Sequence, residues 1–360
     1  MKSLFDKTEL AGMRLKNRFI RSATYDGFAD KNGHMTKRLY EIYEDLAKGG
    51  VGTIITGMTF VSDLENVYPG QAGIYDDTFI NEYQNFTEMV HQYNANIIMQ
   101  LACVGSQVSV DANSGKAVWG PSSVEDLAYK NTPKEMTKEE IILVQKAFAD
   151  AADRAKKAGF DGIQIHAAHG YLLSKFLTPY YNRRTDQYGG NQENRSRMVL
   201  ETFEAIRNRV GSNYPVFIKI NSEDFFDQGM TFSDCKYICH KLEDTEIDAI
   251  EISGRNFSSR PNEGFARKIP PEQESYYKKY AVEIAQEIKI PIILVGGNRD
   301  VKAMTEILNN TDIEYISLCR PFICESDLIN RWEKDTAPAK CVSCNNCFNS
   351  TGTICIFNFM

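Results

Sequence analysis

The sequence predicts an α/β protein: a single (β/α)8 TIM barrel with a short cysteine-rich extension at the C-terminus. Three observations predict it. Eight apolar runs of strand length recur along the chain, and segments of helical periodicity separate them. The runs are continuously apolar without strict period-two alternation, so each is expected to be buried on both faces, as in a parallel sheet covered by helices. A doubly wound open sheet could also use eight strands. It would normally announce a nucleotide site with G-x-G-x-x-G after its first strand, and no such motif is present.

The predicted strands are residues 19–24, 51–57, 96–102, 161–167, 215–220, 248–254, 291–297 and 314–320. Between them helices are expected over 36–49, 78–93, 137–159, 196–211, 231–242, 271–288 and 300–308. The third of these starts at a capping box, Thr137 with Glu140, and closes at Gly159. There is no linker rich in Pro, Gly or Ser and no internal repeat, so the long segments 103–136 and 168–195 are expected to be loops of one barrel. The expected division is a barrel over 1–335 and a cysteine-rich tail over 336–360.

At 360 residues, 42% hydrophobic and 25% charged, the chain has the composition of a globular protein, which excludes disorder and fibrous repeats. A net charge of −7 and the absence of a basic cluster interleaved with aromatics disfavour a nucleic-acid partner. No run has the ~18 apolar residues of a membrane span, and the N-terminus lacks a signal h-region, so a cytoplasmic protein acting on small molecules is expected. Self-association into a homo-oligomer is compatible with this composition. Of nine cysteines, Cys103, Cys235, Cys239, Cys319 and Cys324 lie in apolar runs, where reduced thiols act as small hydrophobes.

Barrel active sites lie where strands end, so polar residues at the ends of apolar strands carry information. Strand three is read as ending in Gln100, strand four in His166, strand five in Lys219, strand seven in Gly296-Gly297 and strand eight in Arg320. In H-A-A-H-G-Y, His166, His169 and Tyr171 put three hydrogen-bond donors on one corner, which suits a carbonyl oxygen gaining negative charge beside a phenol that supplies a proton. The same H-x-x-H could be a polar turn or a metal pair. Lys219 could be a Schiff-base nucleophile, as in barrel aldolases, or a fixed cation beside an electron-rich ligand. Gly296, Gly297 and Arg320 lie where barrels commonly hold a phosphate.

These residues carry a resemblance to the old yellow enzyme family of FMN-dependent oxidoreductases. L-K-N-R at 15–18, Gln100 after N-I-I-M, A-G-F-D-G-I-Q-I-H-A-A-H-G-Y-L at 158–172, F-L-T-P-Y-Y-N-R-R-T-D-Q-Y-G-G at 176–190 and C-R-P at 319–321 fall in the family's order over roughly residues 3–335. The resemblance implies FMN across the barrel mouth, its phosphate held by Gly296, Gly297 and Arg320, its pyrimidine edge by Gln100, and Lys219 near N1 and C2=O. It implies that His166 and His169 bind the substrate carbonyl and that Tyr171 protonates the α-carbon after hydride reaches the β-carbon. NADH or NADPH would be the first donor, using the same pocket in turn. The implied activity is reduction of an activated C=C bond; the residues themselves leave open a Lys219 aldolase or a redox-sensing electron relay.

The sequence departs from the family at several of these places. In R-S-A-T-Y-D-G, Ala23 and Thr24, with Tyr25, occupy the segment that carries a Thr or Cys near flavin C4=O in other members, and the resemblance implies that Gly57 and Met58 lie near the flavin. Cys103 replaces a histidine, and Cys319 stands where glycine usually precedes the phosphate arginine. In the tail, Cys341, Cys344 and Cys347 have the spacing of the iron–sulfur segment of the trimethylamine dehydrogenase and 2-enoate reductase branch, and Cys355 follows after a shorter gap. An iron–sulfur cluster, zinc, or no metal are the readings of these four.

Overall fold

Each of the eight apolar runs is a strand. In the computed structural model, which describes residues 1–65, 67–109, 115–263, 267–349 and 352–359, they are β1 (Phe19–Arg21), β2 (Thr53–Ile55), β3 (Asn96–Ala102), β4 (Gly162–Ala167), β5 (Val216–Asn221), β6 (Ala249–Ser253), β7 (Ile292–Leu294) and β8 (Tyr315–Leu318). All neighbours are parallel, and the sheet closes when β2 pairs with β3 and β8 with β1. The helices that cover it are α1 (Lys37–Lys48), α2 (Phe79–His91), α3 (Lys138–Lys157), α4 (Gln192–Val210), α5 (Phe232–Asp244), α6 (Lys278–Glu287) and α7 (Val301–Asn310). After β8 two short helices, Arg320–Cys324 and Leu328–Trp332, take the eighth place.

Local chemistry sets the helix ends. The Thr137–Glu140 capping box forms, and Thr231 with Asp234 forms a second. Helix α4 begins ahead of the expected Ser196 because Asn191 accepts a hydrogen bond from the Asn194 N–H. Helix α6 is shorter than expected: Pro271–Gln273 is a separate 3-10 turn, and Ser275 has a left-handed φ of 54°, which no helix continues through.

The barrel interior is built in layers with the period-two step of a strand. An antiparallel pair, Thr8–Leu10 with Met13–Leu15, supplies Leu10, Met13 and Leu15 to an inner cluster. Ile20, Ile55, Ile98, Phe217, Ala249, Ile293 and Tyr315 complete that cluster. Burial of each large side chain here contributes on the order of 2 kcal/mol. Two residues on, five strands turn polar together: Ile20 is followed by Ser22, Ile98 by Gln100, Phe217 by Lys219, Ala249 by Glu251 and Tyr315 by Ser317. All five are buried. The expected strand-end residues are therefore corrected in place. Gln100, His166 and Lys219 lie within β3, β4 and β5, whereas Gly296-Gly297 follow β7 and Arg320 opens a helix after β8.

Candidate active site

The polar layer is one connected network. Register sets His166 beside Lys219, Lys219 beside Glu251, and Gln100 beside Gln164. Gln100 Nε2 donates to Gln164 Oε1 at 2.7 Å, and Gln164 Nε2 donates to Glu251 Oε2 at 2.9 Å. Lys219 Nζ lies 3.1 Å from Glu251 Oε2 and donates to Ser22 Oγ at 2.8 Å. Glu251, Gln164, Ser22 and Ser317 are the members that sequence reading missed, because barrel register and no local motif brings them together.

Above this layer the H-A-A-H-G-Y corner folds as a sharp turn. His169 has φ 63° and Gly170 φ 82°, two consecutive left-handed residues, and a Cβ on Gly170 would lie 2.2 Å from Gln107 Oε1. The His169 N–H donates to Asn221 Oδ1 at 3.1 Å, and Gln107 Nε2 donates to the His169 carbonyl at 2.5 Å. The turn brings the His166 ring 5.1 Å from that of His169 and 4.8 Å from that of Tyr171. His169 Nε2 is 2.7 Å from Ser253 Oγ.

Burial and the nearby Lys219 charge hold both imidazoles well below the usual histidine range, so they are neutral at pH 7. His166 Nδ1 accepts the Ala168 N–H at 3.4 Å, which places the ring proton on Nε2. Burial drives the Tyr171 hydroxyl up from the ordinary phenol value, so it keeps its proton. Tyr171 packs with Met58, Ala102, Val104 and Val108, flanked by Tyr25 and Tyr68. The Tyr68 ring meets that of Tyr171 edge-on at 6.3 Å, and the Tyr68 hydroxyl donates to the Gln107 carbonyl and lies 3.1 Å from that of Tyr129. This phenol cluster came to light only from the fold, because residues 25, 68, 129 and 171 are far apart in sequence.

Beside the corner lies a cleft of about 620 Å³. Of the expected binding residues, Ala23, Lys219, Gly296, Gly297, Cys319 and Arg320 line it, together with His169. Gln100 sits in the layer below, Thr24 bonds the Ser22 carbonyl at 2.9 Å and Cys319 Sγ at 3.1 Å, and Met58 belongs to the Tyr171 cluster. Arg299, which the sequence reading did not single out, also lines the cleft, paired with Glu274 at 2.8 Å.

The cleft presents cations, of which Lys219 and Arg299 are paired with carboxylates behind them. No carboxylate lines it among the described residues, and none of theirs lies within ion-pair distance of Arg320. Arg320 Nη1 instead donates to the Arg267 carbonyl at 2.9 Å and Asn345 Oδ1 at 2.8 Å. Gly296 and Gly297 have φ 115° and 79°, and a Cβ on either would lie within 2.8 Å of the Tyr276 ring. Only glycine lets the backbone lie that close.

The tail folds against this end of the barrel. Ser343 and Phe348 line the cleft, and Phe348–Asn349 pairs with Gly352–Thr353. Cys341, Cys344, Cys347 and Cys355 all line one small cavity of about 290 Å³, which Arg320 shares with the cleft. Burial pushes the Cys347 thiol up to about 12. Among the described residues no three side chains stand together at metal-ligand spacing.

Residues 3–338 match the profile of the NADH:flavin oxidoreductase / NADH oxidase family. The chain belongs to this family. Its similarity extends to an NADH oxidase of Thermoanaerobacter brockii, 32% identical over 95% of this chain and 53% of that protein. A cinnamate reductase of Clostridium sporogenes is 31% identical over 95% of this chain and 55% of that protein. The chain thus spans about half the length of these relatives. The old yellow enzyme homologue from Zymomonas mobilis superposes with a TM-score of 0.78 over 94% of each chain at 24% identity, which shows the shared barrel fold. The expected barrel and membership of a flavin oxidoreductase family are borne out. No helix among the described residues is long and apolar enough to cross a membrane.

Proposed function

We propose that this flavin oxidoreductase reduces the activated C=C bond of α,β-unsaturated carbonyl compounds, with NADH or NADPH as electron donor. The observation that carries the reading is the packing of two neutral imidazoles and a protonated phenol beside a cleft that His169, Lys219, Arg299 and Arg320 line and that no carboxylate among the described residues lines. The residues fit FMN: Arg320, Arg299 and the Gly296-Gly297 backbone would hold its phosphate, and Lys219 and Gln100 would face its pyrimidine edge. FMN, when bound, supplies the hydride. The chain does the rest. His166 and His169 hold the carbonyl oxygen by neutral N–H donors, which strengthen their hold as negative charge grows on it. Tyr171 delivers its proton to the α-carbon, and the surrounding apolar side chains and phenols exclude water. The cinnamate reductase among the relatives is consistent with an unsaturated carbonyl acceptor.

The test is anaerobic. FMN-reconstituted protein should show oxidised-flavin absorbance, bleach with NADH or NADPH, and regain colour when cyclohexenone is added. Protein that takes up no FMN, or is bleached and not reoxidised by any enone or enoate, overturns the proposal. The Schiff-base alternative loses support from the Lys219 environment, since Nζ is tied to Glu251 at 3.1 Å and Ser22 Oγ at 2.8 Å and would have to leave both to attack a carbonyl carbon.

A second reading starts from the four cysteines that line one cavity beside the cleft, although their side chains would have to draw together to ligate a metal. As thiolates they would hold an iron–sulfur cluster or zinc; a cluster would relay electrons to the flavin site, whereas zinc would be structural. Iron, sulfide and zinc analysis of protein purified without oxygen decides it, and a metal-free preparation that also takes up neither on reconstitution rejects both.

A further inference from the structure

We propose that Glu251 is a positioning residue that sets how much positive charge Lys219 presents to the cleft, and thereby the redox poise of the flavin bound there. The inference rests on the FMN reading and goes beyond it, to a residue outside the cleft lining.

The carboxylate is wholly enclosed, and its neighbours come from every side of the upper barrel. Oε1 accepts from Ser22 Oγ at 2.8 Å and Ser317 Oγ at 2.6 Å. Oε2 accepts from Gln164 Nε2 at 2.9 Å and faces Lys219 Nζ at 3.1 Å. One side chain on β6 therefore ties together β4, β5, β8 and the residue after β1. Both charges of the pair are buried, 0% and 3% exposed by side chain, where little water screens them.

A lone cation under the cleft would favour the reduced, anionic form of an electron-rich ring. A cation with a carboxylate 3.1 Å away acts as a dipole, whose field falls off faster with distance. Lys219 thus offers a tempered field, and Glu251 sets the tempering. The same carboxylate orients a second group. Gln164 spends its amide N–H on Glu251 and its carbonyl on Gln100 Nε2, which leaves Gln100 Oε1 as the acceptor end toward a ligand.

A purely architectural role does not account for the pair. Apolar residues of similar volume stabilise an interior as well as a buried ion pair or better. The layer two residues below, with Phe217 and Ala249 in the same two strands, shows that apolar solution.

Glu251→Gln tests the proposal. The amide fits the site with its oxygen toward Lys219 and Gln164 and its nitrogen toward the two serine hydroxyls, which rotate to accept. In FMN-loaded protein the two-electron reduction equilibrium should move about tenfold toward the reduced flavin, ~30 mV by spectroelectrochemistry. Sulfite, which adds to oxidised flavin and leaves an anionic ring, should bind about tenfold tighter. A folded, FMN-loaded variant with unmoved or lowered potential and unchanged sulfite affinity overturns this inference and leaves the flavin reading standing. Parent protein that takes up no FMN takes both down.

If Glu251→Gln does not fold, Lys219→Gln carries the test from the other side. Glu251 then lacks the cation that offsets its burial, and burial drives its carboxyl up toward neutral pH. The flavin potential should gain a titration there that the parent lacks. His166 and His169 are the other titratable groups around Lys219, and a residual step in His166→Asn and His169→Asn backgrounds assigns it to Glu251. A potential with no added pH dependence in Lys219→Gln overturns the proposal.

Discussion

The β4 corner and the β7–β8 end of the same barrel mouth handle charge in opposite ways. At β4, burial keeps His166 and His169 unprotonated and Tyr171 protonated, so the corner carries hydrogen-bond donors and no net charge. At β7–β8, Arg299 and Arg320 remain cations in nearly the same degree of burial, 6% and 7% exposed. The difference lies in residue chemistry. A histidine or tyrosine yields its charge to a dry environment, whereas a guanidinium does not. One end can therefore move a proton during reaction, and the other can hold a permanent anion.

The largest expected effect breaks the proton-moving end. Tyr171→Phe removes the donor and keeps the ring against His166, so reoxidation of reduced enzyme by a cyclic enone should slow by ~10²–10⁴. Reduction by NADH or NADPH, which needs no proton from the enzyme, should keep its rate. Stopped-flow measurement of the two half-reactions checks this; equal losses in both would remove Tyr171 from its role.

Next in size is the anchoring end. Arg320→Met should weaken FMN binding on the order of 100-fold, about 3 kcal/mol, by fluorescence titration. The released flavin should be indistinguishable in spectrum from free FMN, while Tyr171→Phe should retain FMN at parent affinity. Loss of affinity in both variants alike would erase the division between the two ends.

A smaller change sharpens the comparison within the β4 corner. His169→Asn keeps a hydrogen-bond donor but shortens its reach, and binding of a phenol should weaken by about tenfold with FMN affinity unchanged. Phenols would imitate the oxygen proposed to sit on the imidazole pair, so titration of the flavin absorbance with a phenol reads this directly. Unchanged phenol affinity would take His169 out of the pair.

The barrel mouth and the polar layer beneath it were not equally legible in the sequence. His166, His169, Tyr171, Gly296, Gly297 and Arg320 are carried on short contiguous motifs, each with local chemistry that a string of residues exposes. Glu251, Gln164 and Ser22 are assembled by barrel register from residues up to 229 positions apart, as in the bond from Ser22 to Glu251. Nothing local in D-A-I-E-I-S says that its carboxylate faces inward. The strand count was readable because burial on both faces leaves continuous apolar runs, yet the same continuity hid where each strand turned polar. Gln100 and Lys219 were therefore read as strand ends when they belong to an interior layer. The cysteine tail was legible as a spacing, and the fold adds that its four thiols share one cavity next to Arg320.

The smallest effect concerns the wall that keeps the β4 corner dry. Glu65 Oε2 accepts from the Val104 N–H at 2.6 Å, the Gly105 N–H at 3.3 Å and Cys103 Sγ at 3.0 Å, pinning the start of the loop after β3. Burial raises its carboxyl to about 7. Because that value exceeds the ordinary one, the folded chain binds more protons than the unfolded chain between about pH 4.5 and 7. Stability must fall as pH rises through that window, by at most ~3 kcal/mol from this group, and level off above it. Glu65→Gln removes the titration and keeps a carbonyl for the same N–H donors. Between pH 5 and pH 8 the parent's Tm should therefore drop about 3 °C more than the variant's. All other titrating groups are common to both proteins, so the difference between the two profiles isolates Glu65. Parallel profiles would mean that the carboxyl ionises as freely in the folded chain as in the unfolded one, and that the loop over the phenol cluster is held by something else.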